Sequence, residues 1–487
     1  MQITISPSRD AEVYVHPVYI GESFQFPLRE SRRKATEVTW FHGRANGEAE
    51  VLSIGMGERK KVSLEQVRRA GGVSVRSLLR EGVRSAGLVR STVVGSETNE
   101  EAALVWLQAW VEGWLLGYYR FEKYKQASKT DTNVDLNIHP EDWPELSASE
   151  LENTIAIARI RAEGAMLARD LVNDSPDALN PDAFVERVAA HFLNEPVRIH
   201  VYSGQELVDR QMNGLLAVGA GSLHHPALIE IRYEEDTSLP LLALVGKGIT
   251  FDMGGMNVKT GRDISDARMD MGGAAAVIGS MDILVKQSAK VNVVALIAVA
   301  DNLPDAAAML PSSVIHYPNG LTVQVANTDG EGRLVLADAL LHASKLGVAE
   351  AIDIATLTGN VGQALGLGLA GIWGDTGMTR KLVEIGERNG ERLWPMPLID
   401  EYESELRSDY ADMRNVGAST LAGAITAALF IRRFVAESIN WVHIDMAGTV
   451  QYKQEVGYSE AGATGYGARL LADYAVSRSN YSDVGRG

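Results

Sequence analysis

Two long apolar stretches constrain this chain more than any other feature. Leu241–Val245 and Val291–Ala300 contain one polar residue between them, Asn292. Runs of that kind are strands covered on both faces, not half-buried ones. A helical pattern, Gly272–Gln287, lies between them. The order repeats downstream: helix Leu334–Lys345 leads to strand Ala351–Leu357, and helix Leu421–Glu437 to strand Trp441–Met446. Repeated strand–helix–strand units predict an α/β fold, with a mostly parallel or mixed sheet and helices on both faces.

At 487 residues the chain is too long for one compact core. The first part mixes strand-like stretches with turns and helices, of which Glu100–Arg120 is the clearest, with apolar residues recurring at three and four. Lys125–Glu150 is rich in Asp, Thr, Asn and Pro and reads as a domain boundary. A long helix follows from about Ser147 to Val172 and stops at Asn173-Asp174-Ser175-Pro176. The predicted organisation is a smaller N-terminal α/β domain over 1–147, a connecting helix over 148–175 and a larger catalytic domain over 176–487. The residues from Ser477 onward read as a frayed tail.

Cysteine is absent, so a metal would have to sit on carboxylate, imidazole, amine or backbone oxygen. The net charge of −17 is uneven: residues 1–150 hold 19 Lys+Arg against 21 Asp+Glu, and the rest 27 against 42. An acidic second part suits metals or an ammonium-bearing substrate and disfavours polyanions such as nucleic acid. The N-terminus lacks a basic region followed by an apolar one, and no apolar run approaches the ~20 residues that span a bilayer. The expectation is a cytoplasmic protein with no membrane partner.

Two stretches gather charge in otherwise buried surroundings. In the first, Lys247 and Asp252 are expected just past the carboxyl end of a core strand, where open α/β sheets place their ligands. Gly254-Gly255 permits a tight turn that returns Lys259 to the same cleft, and Asp270 follows at the start of the next helix. In the second, Asn327-Thr-Asp-Gly-Glu-Gly-Arg-Leu334, the residues Asp329, Glu331 and Arg333 alternate, which would put them on one side of an extended segment. Four carboxylates so close would repel one another and take up protons. Two divalent cations would cancel that charge; helix caps and turns alone do not need all of these acids together.

These residues resemble the leucyl aminopeptidase family, whose signature octapeptide residues 327–334 match except for Gly330 in place of Ala. Gly246-Lys-Gly-Ile-Thr-Phe-Asp252, Gly254-Gly255, Lys259 and the 270–275 stretch also fit, with Met253 in place of Ser. Further agreement lies at Leu167–Pro181, Ala355–Gly359, Trp394–Leu398, Asp412–Gly417, Gly423–Phe434 and His443–Gly448, and more weakly at Tyr119–Lys125. The resemblance implies a two-metal aminopeptidase acting on peptides with a free N-terminus and releasing apolar N-terminal residues such as leucine. It implies that Asp252 and Glu331 bridge two divalent ions, Mn or Zn, with Asp329 completing one site and Lys247 and Asp270 the other. It further implies that Lys259 stabilises an oxyanion, that Arg333 holds a bicarbonate acting as general base, and that the chain forms a homohexamer. Thr356, Gly359, Ala267 and Ala447 fall where the family lines its side-chain pocket.

Other signals are quieter. Gly366–Gly371 fits a dinucleotide pattern but does not directly follow its strand. His224-His225 reads as an exposed loop, and His443 and Asp338 as structural residues. Arg32-Arg33-Lys34 and Arg59-Lys60-Lys61 read as a solvated face. Two rival functions use parts of the pattern: a two-metal phosphoesterase, and a DNA-binding or scaffold relative without catalysis. A phosphatase assay separates the first, and intactness of the ligand set the second.

Overall fold

The computed structural model describes residues 1–42, 48–90, 100–126, 133–261 and 263–479. The chain divides into two compact units: residues 1–163 with 388–390 and 453–461, and the remainder.

The first unit is built on strands β1 (Ile3–Ile5), β2 (Val13–Tyr19), β3 (Val38–Phe41), β4 (Glu50–Gly57), β5 (Ser85–Leu88) and β6 (Asp135–Ile138), in the order β1-β6-β5-β2-β4-β3. All pairings are parallel except that of β3 with β4. Strand β6 lies inside the polar stretch read as a boundary, and it pairs with β1 and β5. Its four residues alternate, with Leu136 and Ile138 buried and Asp135 and Asn137 half-buried, too short a period-two signal to stand out. Residues 127–132 of that stretch lie outside the described residues. The basic clusters also differ from a wholly solvated face. Arg33 is buried and donates to the carbonyls of Tyr19 and Glu22, and Arg59 pairs with Glu22 at 2.6 Å.

The second unit carries β7 (Arg198–Ser203), β8 (Ala227–Glu234), β9 (Leu242–Asp252), β10 (Asn292–Asn302), β11 (Val314–His316), β12 (Thr322–Gln324), β13 (Glu350–Ala355), β14 (Ala370–Gly374), β15 (Leu393–Pro395), β16 (Met413–Arg414) and β17 (Asn440–Asp445). Eight of them form one mixed sheet, β15-β14-β17-β13-β9-β10-β8-β7. Its centre, β17-β13-β9-β10, is parallel throughout, while β8 runs antiparallel to β10 and β14 antiparallel to β17. All residues of β10 are buried, as its apolar run demands. Strands β11, β12 and β16 form a separate small sheet.

Two local expectations are corrected. Strand β9 continues through Gly246, Lys247 and Gly248 to Asp252, so Lys247 lies within the strand and not beyond its end. The backbone ladder persists there, with Lys247 opposite Ala298 and Asp252 opposite Asn302. The C-terminal helix, Ala468–Ser479, includes Ser477, and residues 480–487 of the expected tail lie outside the described residues. As the sequence indicates, the Gly366–Gly371 pattern does not follow its strand: it comes after a short helix, Gly359–Leu365, and runs into β14, the reverse of a dinucleotide-binding turn. Among the described residues no helix is long and apolar enough to cross a membrane.

Candidate active site

The carboxyl ends of the parallel strands β9, β13 and β17 lead into a cleft of about 1040 Å³, the position at which open α/β sheets hold ligands. Strand β9 delivers Lys247 and Asp252. A turn follows in which Gly254 and Gly255 have φ of +87° and +61°, values that side chains rarely tolerate. That turn brings the Lys259 amide back to the Met253 carbonyl at 2.9 Å. The Lys259 ammonium consequently lies 2.6 Å from Asp252 and also pairs with Asp329. Asp270 sits in a 3-10 turn, Ala267–Met271, just before the helix Gly272–Lys286.

The octapeptide is not the extended segment that its alternation suggests. Asn327 closes an Asx turn onto the Asp329 amide at 2.9 Å, and Glu331 already has helical angles (φ −72°, ψ −38°). Arg333 lies in the first turn of the helix Gly332–Lys345. A turn running into a helix therefore brings Asp329, Glu331 and Arg333 to one cleft, where strand alternation was expected to do so.

Lys247 is buried, with its ammonium 2.7 Å from Asp270, 2.8 Å from Glu331 and 3.1 Å from the Thr356 carbonyl. Burial works against its charge, but Asp270, Glu331 and Asp252 together hold it above the usual lysine range. Burial and the crowding of like charges push Asp270, Glu331 and Asp329 above the usual carboxylate range. Asp252, Asp329 and Glu331 each offer an oxygen, all within 4.8 Å of one another. Carboxylates held this close are hard oxygen donors suited to divalent cations. Burial lowers the Arg333 guanidinium to about 10. Its Nη1 donates to the Asn415 carbonyl at 2.9 Å, whereas its buried Nε has no hydrogen-bond partner. Leaving a buried N–H of a cation without a partner is costly, and an anion within reach would relieve that cost.

All seven sequence-predicted site residues line this one cleft, together with Ala267, Thr356, Gly359 and Ala447. Thr356 does more than line it, since its hydroxyl donates to Asp270 at 2.8 Å. Sequence reasoning missed Asn302. Its buried amide, at the end of β10, donates to Asp252 at 2.9 Å and the Thr328 carbonyl at 3.0 Å, and lies 3.5 Å from Glu331. A polar residue ending an apolar strand beside Asp252 was the available signal. Asp445 was missed in the same way. It ends β17, is fully buried, and accepts from the Leu357 and Ala447 amides and the Thr358 hydroxyl, so it holds two cleft-lining loops. His443 is interior, 2.5 Å from Asp353, and Asp338 accepts from the Leu215 amide at 2.7 Å; both have structural partners. His224 pairs with Asp182 at 2.8 Å.

A mixed α/β sheet with clustered carboxylates at its strand ends has the donor set of a divalent-cation site, and sequence relatives supply the class. The profile of the cytosol aminopeptidase family catalytic domain matches residues 166–472, and that of its N-terminal domain residues 31–128. A probable cytosol aminopeptidase of Solibacter usitatus is 35% identical over 494 residues, covering 98% of this chain and 99% of the relative. That of Syntrophotalea carbinolica is 38% identical over 433 residues, covering 87% and 85%. The solved structure of the bottromycin maturation enzyme BotP superposes with a TM-score of 0.85 at 29% identity, covering 96% of this chain and all of that one. A second BotP structure, in complex with Mn, matches equally well. The chain belongs to the cytosol aminopeptidase family, and it is a metal-dependent peptide hydrolase.

Proposed function

We propose that the chain is a two-metal aminopeptidase that releases apolar N-terminal residues, such as leucine, from peptides in the cytoplasm. The observation that carries this reading is the convergence of four carboxylates, two lysines and Arg333 on one cleft. Asp252 and Glu331 would bridge two divalent cations, Mn or Zn, with Asp329 completing one position and Lys247 and Asp270 the other. When bound, the cations supply an activated water and a Lewis-acid contact to the scissile carbonyl. Lys247 would have to hold its place in that set as the neutral amine, since a neighbouring dication disfavours the ammonium form.

The remaining roles belong to the chain itself. Lys259, an ammonium among acids, would be aimed at the oxygen that gains negative charge as water adds to the carbonyl. Arg333 would hold a bicarbonate as candidate general base, and its unpartnered Nε supports that reading. The small residues Ala267, Thr356, Gly359 and Ala447 would leave room for the first side chain of the substrate. Following the family resemblance, we also assign a homohexameric state. Nucleic acid is not a partner in this reading, because Arg33 is turned inward and Arg59 is neutralised by Glu22.

The test uses metal-stripped protein, leucine-anilide and its N-acetyl form. Activity should return with Mn²⁺ or Zn²⁺, and only toward the free amine, whose lone pair can orient the scissile bond. Comparable kcat/KM on the acetylated substrate, or hydrolysis of a phosphoester in its place, would refute the reading.

A further inference from the structure

The loop that carries Asp329 and Glu331 is gripped by a residue remote in sequence. Strand β12, which leads into the loop, pairs in parallel with β16 through Val323–Met413 and Gln324–Arg414. The Asn415 amide extends this pairing by donating to the Gln324 carbonyl at 3.0 Å. Beyond that point the backbones no longer pair, and the Asn415 side chain takes over. Its Oδ1 accepts from the Ala326 amide at 2.8 Å and the Asn327 amide at 3.3 Å. Its Nδ2 donates to the carbonyls of Asn327 at 2.7 Å and Gly330 at 3.2 Å. Both ends of the carboxamide are used, two donors and two acceptors, so no other side chain of that size can replace it.

Two further observations tie this grip to chemistry. The Asn415 carbonyl receives the Arg333 guanidinium at 2.9 Å, so one residue holds the loop by its side chain and aims the cation by its backbone. The loop also lies directly on the clamp, because a Cβ at Gly330 would stand 2.9 Å from Asn415 Nδ2. Asn415 is fully buried and is not itself among the residues that line the cleft.

We propose that Asn415 is a positioning residue of this site, setting the placement of Asp329 and Glu331 for metal and the direction of Arg333 for its anion. The inference rests on the two-metal reading above. Partners of this kind, one step removed from the ligands, typically contribute 10–100-fold to metal affinity or activity.

The experiment compares wild type with Asn415→Leu and Asn415→Asp in the full chain. Leucine replaces the amide with an apolar group of similar size, and aspartate turns Nδ2 into an oxygen facing two carbonyls. Mn²⁺ binding to metal-stripped protein is followed by calorimetry, kcat and KM with leucine-anilide, and unfolding in chelator by Tm. Mn²⁺ affinity and kcat should each fall about 10–100-fold with KM within about threefold. Folded variants that lose only Tm, with kcat and Mn²⁺ affinity unchanged, would overturn the proposal. Amide exchange of the wild type supplies a measurement that needs no variant. Ala326 and Asn327 should be protected, since Asn415 Oδ1 is their acceptor, and exchange at the rate of an open loop would also overturn it. Wild type that binds no Mn²⁺ would instead refute the two-metal reading, a result distinct from failure of the Asn415 variants alone.

Discussion

The Lys247 side chain passes directly over the Cα of Gly332, and a methyl group on that residue would lie 2.5 Å from Lys247 Cε and 2.6 Å from Nζ. The position between Glu331 and Arg333 is therefore kept bare so that the lysine can reach Asp270 and Glu331.

Gly332→Ala tests how far the site depends on the reach of Lys247. The clash is with the flexible end of a side chain, which can move, and alanine at the start of a helix is favoured over glycine by up to about 1 kcal/mol. That gain is outweighed, because moving a buried ammonium away from two buried acids leaves their charge uncompensated, and metal-free protein should lose about 3–5 kcal/mol. Lys247 must leave its two acids, so kcat/KM should fall at least about tenfold, the lower bound for disturbing a ligand's surroundings. Urea unfolding and steady-state kinetics measure the two quantities, and wild-type kcat/KM in the variant would sink the argument.

Asn302→Leu removes a neutral donor that Asp252 and the Thr328 carbonyl share. Asp252 keeps the Gly254 amide and Lys259, but the Thr328 carbonyl loses its side-chain donor, at a cost of about 1–3 kcal/mol. Chelated protein should lose that much stability by urea titration. A divalent cation would take over the demand of Asp252 for positive charge, so added Mn²⁺ should restore more of the variant's Tm than of the wild type's. Equal Mn²⁺-induced shifts in the two proteins would count against Asn302 as a support for that carboxylate.

The fold was legible where hydrophobic period and length agreed. The buried runs of β9 and β10 and the helices between strands needed no tertiary information. Strand β6 was not legible, because four residues within a polar stretch give two alternations and no more. The charged site residues stood out because acids and lysines in apolar surroundings need a reason, and the octapeptide supplied a resemblance. Asn302 and Asn415 were missed for the opposite cause: a neutral amide leaves no charge anomaly in sequence, and its partners lie 26 to 89 positions away. The helical start at Glu331 was likewise hidden, since glycines on both sides dilute helix propensity.

Lys259 pairs with Asp252 and Asp329, so its removal acts on two levels. Lys259→Ala should lower kcat about 10²–10³-fold, the scale for losing one donor to a developing oxyanion. Metal affinity should not fall with it, because the variant also deletes a cation that competes for two ligand carboxylates. Elemental analysis of the variant beside its kinetics decides the point. Loss of metal in step with loss of rate would make Lys259 a ligand or a structural counterion.

The His443–Asp353 pair gives a prediction that depends on pH. Both side chains are fully buried, 2.5 Å apart, and Trp441 donates to the other Asp353 oxygen at 2.6 Å. Burial alone would lower the imidazole below its ordinary 6.5, but the Asp353 carboxylate outweighs burial and the net shift is upward. Folding therefore raises the affinity of His443 for its proton. The stabilisation is complete below about pH 6.5, the unfolded value, and is lost as pH rises through the higher folded value. His443→Gln stays neutral throughout and lacks this dependence. In chelator, the Tm gap between wild type and variant should be widest near pH 6 and narrow steadily toward pH 9 and above. A gap that is constant across this range, or that widens with pH, would show that His443 is neutral in the folded protein and acts there only as a hydrogen-bond donor.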